Sequence, residues 1–368
     1  MPSALLAGHF GPSDAGEAAT LGAFERALPD WTPVLASSDP AATRATHGCG
    51  AVDSRRTLAM LRAAARTDAT VLAGWSIGEG GDTRPDLREA VALFATAKLR
   101  RRPTALLGIS AGRARSRWEG RLENRLLRAA DLVVLRDEVS ARHLEDAGVP
   151  GPFRIGADPA WLDVQDRPPG AAPAPRARRV VVAIEGHGCP PDLIARLGEA
   201  LGALAAEGVE IGLQPWREGA GGGQDHALVS ELAGRIGRPV RVLLPLPDLG
   251  ADHRTPAEMG AVVALGSHAL IAAAAAGVPA VAVACQPAIA GLARRLDQPL
   301  IDDDASAAAI AAVLANALER EPPRPNAVEG QIATAAEGFR LLRVLLSEGR
   351  SDEVTELSGL PLRWGPRR

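Results

Sequence analysis

The sequence predicts an α/β protein of two like domains, and three observations carry that prediction. Runs of five residues at 69–73, 180–184 and 261–265, apolar except for Thr70, suit strands buried on both faces of a parallel sheet. Polar or glycine-bearing turns follow such runs, and stretches at helical spacing come after the turns. Two segments also echo each other: ADLVVLRDEVSARHLEDAGVP at 130–150 and GAVVALGSHALIAAAAAGVP at 260–279. Each reads as strand, polar turn, helix and an Ala-Gly-Val-Pro ending, and the echo suggests one unit in a matching place of two domains.

From the N-terminus, residues 4–7 read as a strand, and Gly8, His9, Phe10, Gly11, Pro12 and Ser13 as a glycine-bearing loop. Asp14 and Glu17 form a capping-box pattern that opens a helix. Leu21, Phe24 and Leu28 give that helix its apolar stripe. Strand, glycine loop and capped helix is the arrangement with which α/β domains hold phosphate. The spacing is not GxGxxG, so a tight turn with no ligand is an equal reading. Residues 33–35 form the next strand, and Ser38-Asp39-Pro40 a helix start. The strand at 69–73 runs into Gly74-Trp75-Ser76 and a glycine-rich loop to Asp82, where backbone can approach a ligand or simply cross the surface. A helix over 86–101, a strand over 104–107 and a polar turn from Gly108 to Arg113 follow. The next helix spans 122–130, with Arg121, Arg125 and Arg128 on its solvated side. A strand over 131–135, a helix from Arg136 to Gly148 and residues 153–159 close the first half.

Residues 165–179 are rich in Pro, Ala and Arg without periodicity, as in an interdomain linker. The second half opens with the strand at 180–184. A helix at 191–206, a strand at 209–213, a glycine-rich loop at 214–225, a helix at 226–236 and a strand at 240–244 come next. In the segment 259–289, Gly266 breaks the strand 261–265 and Ser267 offers an N-cap hydroxyl. His268 then falls in the first helical turn, Gly277 is a left-handed stop and 281–284 is another strand. In a parallel sheet that turn faces the ligand crevice, so His268 is an imidazole set where helix amides favour an anion. The alternative is a helix-start histidine bonded to a carbonyl. His9 and His187 also follow strands. Asp302, Asp303 and Asp304 precede a helix at 306–318 and read as cap chemistry rather than a metal site. A long helix covers 328–347. The resulting division is 1–165, a linker at 166–179, 180–320, a C-terminal helix at 326–348 and a tail at 350–368.

The 368 residues are 46% apolar and 23% charged, and the formal charge is −3. No basic patch points to nucleic acid or an anionic membrane. Cys49, Cys189 and Cys285 make no CxxC pair and no metal-ligand spacing, and so sparse a count suits a reducing cytoplasm. The first residues lack the basic region of a signal peptide, and prolines interrupt the uncharged stretch at 269–293. The reading is therefore a cytoplasmic protein without a transmembrane segment, metal or cofactor, and of undetermined oligomeric state.

Three blocks resemble the polysaccharide pyruvyl transferases, including the bacterial type that modifies cell-wall polymer. They are GHFGPSDAGEAA with VLASSDPAATRATHG, ADLVVLRDEVSARHLEDAGV with FRIGADPAWL, and GSHALIAAAAAGVPAVAVACQP. The resemblance implies an α/β fold of two Rossmann-like domains facing a cleft, GT-B-like. It implies phosphoenolpyruvate as donor and a carbohydrate acceptor. His268 matches the family's histidine and is the candidate catalytic acid/base. Gly8, Gly11, Asp14, Gly74, Arg113, Ser267, His187 and Arg217 are the candidate donor-binding residues.

The chain departs from the family pattern at several charged positions. Gly266 and Glu185 stand where arginines are expected, and Cys285-Gln286-Pro287-Ala288 lacks the family's lysine. Two or three lost contacts at roughly 1.5 to 3 kcal/mol each would weaken binding of a dianion by orders of magnitude unless replaced. Arg113, Arg136, Arg217 and Arg294 are the available replacements, although Arg136 suits a local ion pair equally well. Sugar stacking, with no tyrosine in the chain, falls to Trp75, Trp161 or Trp216, which otherwise serve as core. A nucleotide-sugar glycosyltransferase and a non-catalytic relative are the alternative readings.

Overall fold

Alternating buried strands and capped helices assemble into two parallel sheets in the computed structural model. It describes residues 1–10, 15–77, 86–112, 116–149, 151–166, 178–185, 189–217, 223–245, 259–285, 287–348 and 362–363. Gly11, Asp14, Arg113 and His187, most of the linker and most of the tail lie outside these residues. The chain divides into one unit of residues 1–12, 17–163 and 331–368 and another of 13–16 and 164–330.

The first unit contains β1 (Ser3–Phe10), α1 (Ala15–Ala27), β2 (Thr32–Ser37), α2 (Pro40–His47), β3 (Gly50–Asp53), α3 (Thr57–Arg66), β4 (Ala69–Ala73) and β5 (Ser76–Ile77). It continues with α4 (Leu87–Leu99), β6 (Thr104–Ala111), α5 (Arg117–Ala129), β7 (Leu132–Leu135), α6 (Glu138–Asp146) and β8 (Phe153–Ile155). The main strand order is β8-β7-β6-β4-β1-β2-β3, all parallel, with β5 beside β6. Local chemistry explains the helix starts. Asp39 caps α2, Asp86 and Glu89 form a capping box on α4, Ser116 caps α5 and Asp137 caps α6.

Differences from the sequence reading lie in strand lengths, in unread elements and in the start of α5, which begins at Arg117 rather than at residue 122. Residues 8–10, read as loop, belong to β1, with a register shift between Leu6 and Phe10. β6 runs on through Gly108 to Ala111 because Ile109 pairs with Leu135 beyond a second irregularity. β3 and α3 were not read from the sequence. β3 is four half-exposed residues at the sheet edge, too short and mixed for a periodic signal.

The second unit contains β9 (Arg179–Ile184), α7 (Pro191–Ala206), β10 (Glu210–Pro215), α8 (Gly223–Ile236), β11 (Arg241–Val242), β12 (Ala261–Ala264) and α9 (Ser267–Ala275). After these come β13 (Ala280–Val283), α10 (Pro287–Arg295), β14 (Leu300–Ile301) and α11 (Ala307–Glu319). The order β11-β10-β9-β12-β13-β14 is again parallel throughout. Both sheets therefore follow the doubly wound pattern in which strand order reverses beside the first strand. The echoed segments do not occupy matching places: β12 adjoins its sheet's first strand, whereas β7 lies near the edge. Their common ending is helix-stop chemistry, with Gly148 and Gly277 both left-handed at φ 69° and 67°.

The final helix, α12 (Pro325–Glu348), seats Phe339, Leu341, Leu342 and Leu345 on the first unit's core with Leu21, Phe24 and Leu28. A short β15 (Leu362–Arg363) pairs antiparallel with β8. Among the described residues, no helix is long and apolar enough to cross a membrane.

One core-facing position is costly. Glu123 lies on the buried stripe of α5 beside Leu126 and Leu127, is 1% exposed, and its Oε1 has no hydrogen-bond partner. Burial, reinforced by Glu119, pushes its carboxyl up to about 7. A raised acid binds its proton more tightly folded than unfolded, so stability falls as pH rises through the window from about 4.5 to about 7. The loss reaches on the order of 3 kcal/mol above that window. Glu123→Gln is expected to melt several degrees higher than wild type at pH 8 and equally at pH 4.5. Parallel melting curves at the two pH values would remove Glu123 as the cause of the loss.

Candidate functional site

At the switch point of the second sheet, β9 and β12 are neighbours and their following helices leave in opposite senses. Whatever follows those two strands meets at one edge. Glu185 follows β9, and Gly266, Ser267 and His268 follow β12. Helix α9 begins at Ser267, with Gly266 as its N-cap and no side-chain cap of its own. Ser267 is therefore the first helical residue, not the cap expected from its hydroxyl. A distant carboxylate serves the helix start instead: the Ala269 N–H donates to Glu185 Oε1 at 3.3 Å.

Glu185 Oε2 lies 3.9 Å from His268 Nδ1, at ion-pair range but too long for a hydrogen bond. The two side chains stay 20% and 18% exposed, so both are open to a ligand. The Trp216 ring, just beyond β10, stacks nearly parallel to the imidazole, at 13° and 6.4 Å between centroids. Two glycines make this crowding feasible. A Cβ on Gly266 would overlap the Glu185 carboxyl, and a Cβ on Gly16 would overlap the His268 ring. Gly16 falls in the stretch 13–16 that groups with the second unit.

The expected cations are already engaged. Arg217 donates to Asp225 through its backbone N–H, Nε and Nη2 at 2.9, 3.3 and 2.8 Å, and Asp225 is fully buried. Arg136, in the first unit, ion-pairs with Asp158 at 3.2 Å and donates to the carbonyls of Gly74 and Gly108. The two quoted motifs around Arg136 and Asp158 thus meet in one buried structural pair. Arg294 is exposed in the last turn of α10, at the end of that helix away from the strand C-termini. Ala288 is buried.

Gly8 and Gly74 lie at the first sheet's own switch point. A Cβ on Gly8 would stand 2.7 Å from the Ala73 carbonyl, and Gly74 has φ 63°. Trp75, Trp161 and Trp216 are 1%, 0% and 2% exposed, which makes them packing residues rather than open stacking platforms.

Cys189 and Cys285, read as unpaired, form a disulfide with Cα atoms 4.4 Å apart. They follow β9 and β13, the strands on either side of β12, so their loops converge across the end of β12. Nothing in a separation of 96 residues shows this locally. Glu185 was visible only as a departure from a charge pattern, and Gly16 lay unremarked inside a quoted block.

The fold is shared with nucleotide-sugar enzymes. The S. aureus MnaA-UDP co-structure aligns with TM-score 0.61 and 11% identity, covering 94% of this chain and 96% of that one. Anabaena Alr3699/HepE in complex with UDP and glucose aligns with TM-score 0.60 and 13% identity over 97% and 99%. The Methanocaldococcus jannaschii UDP-GlcNAc 2-epimerase in complex with UDP-GlcNAc and UDP gives 0.59 and 10% over 94% and 99%. At these identities the likeness concerns the fold, an α/β, GT-B-like class with parallel Rossmann-like sheets. No curated protein matches the chain. The family model for polysaccharide pyruvyl transferase matches residues 16–217, more than half of the chain, and stops short of His268. On that match the chain is a transferase and belongs to the polysaccharide pyruvyl transferase family.

Proposed function

We propose that this protein transfers the pyruvyl group of phosphoenolpyruvate to two hydroxyls of a carbohydrate acceptor, forming a ketal and releasing phosphate, with His268 as acid/base. The observation that carries the reading is a partly exposed imidazole in the first turn of α9, at the sheet's switch point, in a pyruvyl transferase family member. The enol carbon must gain a proton before its neighbour becomes electrophilic, and histidine suits that transfer near neutral pH. Ser267 is the donor contact assigned to this edge, since Arg217 is held by Asp225, and a cytoplasmic setting belongs to the same reading. The direct test is phosphate release from phosphoenolpyruvate across a panel of cell-wall sugar acceptors. Acceptor-dependent release with a mass gain of one pyruvyl ketal is the expected result, and no release across the panel would defeat the proposal.

The UDP complexes among the structural neighbours favour one second reading, glycosyl transfer from a nucleotide sugar. Thermal protection by UDP-sugars, with none from phosphoenolpyruvate, would select it.

A further inference from the structure

Glu185 is placed as more than a helix cap. Its carboxylate holds the first turn of α9 through the Ala269 N–H, faces His268 Nδ1 at 3.9 Å, and fills the volume that Gly266 leaves empty. Its side chain nevertheless remains 20% exposed beside an imidazole that is 18% exposed. An acid and an imidazole thus share one open edge, each located by backbone that belongs to a different strand end.

We propose that Glu185 is the second proton-transfer residue of the reaction, the base for the acceptor hydroxyl, working beside His268 as the acid. This rests on the pyruvyl-transfer reading above. The proton inventory of ketal formation calls for two such groups. His268 in its protonated form gives a proton to the methylene carbon, whose π electron pair forms the new C–H bond and leaves the central carbon cationic. The first acceptor hydroxyl adds to that carbon, and its proton passes to Glu185. The bond from the central carbon to the phosphate oxygen then breaks with its electron pair on phosphate, which takes the proton held by Glu185. The second hydroxyl adds, and its proton restores His268. Both residues finish as they began, and the sum is one ketal and one hydrogen phosphate.

An acid at this position also carries a cost that the proposal predicts. Its negative charge opposes an anionic donor, so neutralising it leaves donor binding intact or tighter while removing the base. Glu185→Gln keeps the size of the side chain and an oxygen for the Ala269 N–H. The variant is expected to lose about 100-fold or more in kcat. Its KM for phosphoenolpyruvate should not rise, and solvent deuterium should still enter the methylene group of unreacted phosphoenolpyruvate. Glu185→Asp, which shortens the base without removing it, should recover part of the lost kcat. Wild-type kcat in Glu185→Gln overturns the role. Loss of deuterium entry together with turnover also overturns it, because Glu185 would then act by holding His268. Equal kcat in the Asp and Gln variants counts against a proton transfer as well. A wild-type protein that turns over no phosphoenolpyruvate removes the pyruvyl-transfer reading itself, and this role with it.

Discussion

Replacing His268 with alanine is expected to lower kcat for phosphate release by about 10²- to 10⁴-fold, the usual range for a positioned proton-transfer group. The expectation follows from where the ring sits. The N-terminal turn of α9 fixes the backbone, Trp216 lies against one face at 13° and 6.4 Å, and Gly16 leaves room for the ring. A side chain located from three sides has little freedom to lose, so its contribution is realised in the transition state rather than spent on ordering. The KM for phosphoenolpyruvate should change far less than kcat, because an interaction made only in the transition state contributes little to ground-state binding. Truncation also vacates space beside Trp216 and lowers stability, so melting temperature must be followed alongside. His268→Gln, which fills more of that space, separates the two effects: it should recover stability without recovering turnover. Steady-state kinetics on both variants decide the matter, and a His268→Ala protein with undiminished kcat would end the acid/base assignment.

Reduction of the Cys189–Cys285 link is expected to destabilise the second unit by about 4 to 5 kcal/mol, because a cross-link that closes a long loop restricts the unfolded chain strongly. The two residues are 96 apart in sequence. They tie the segment after β9, which carries Glu185, to the segment after β13. In a unit of this size the loss corresponds to a shift of roughly 10 °C or more in melting temperature. Cys189→Ser and Cys285→Ser should each melt with the reduced wild type, and adding reductant to either variant should change nothing further. Denaturant midpoints with and without dithiothreitol, paired with a count of free thiols, provide the measurement. Three free thiols in the non-reduced protein would show that the link does not form in solution. The cytoplasmic setting proposed above is reducing and favours the separate thiols, so a thiol count on protein taken directly from cells tests that setting as well.

The two halves of the candidate site differ in how far the sequence reveals them. Local chemistry fixed the helix starts at Asp39, Asp86 and Asp137, the stops at Gly148 and Gly277, and the place of His268 in the first turn after β12, whereas the start of α5 at Ser116 went unread. These depend on neighbours a few residues away, and residue type alone reports them. The family resemblance extended this to the fold class, and the match over 16–217 shows the family.

Charge placement was another matter. Arg136 and Arg217 were candidates for an anionic donor, yet each is committed to an aspartate, Asp158 and Asp225, that folding brings alongside. Asp158 reaches Arg136 because β7 adjoins β8, and Asp225 reaches Arg217 from the first turn of α8, eight residues on; residue type reports neither meeting. Ser267 looked like the cap of α9, but the carboxylate that reaches the helix start comes from Glu185, 84 residues earlier. The echo between 130–150 and 260–279 misled for the converse reason. Its Ala-Gly-Val-Pro ending reports how any βα unit closes, not which strand of the sheet it supplies.

By itself, then, the sequence determined most of the elements, the α/β class and the histidine at a strand–helix turn, because each arises from interactions within a few residues. Only the tertiary structure decided that Glu185 faces His268, that Gly16 and Gly266 make way for them, and that two distant cysteines meet. Those relations exist because parallel strand order places β9 beside β12 and β12 beside β13, a consequence of packing buried strands that no local pattern encodes.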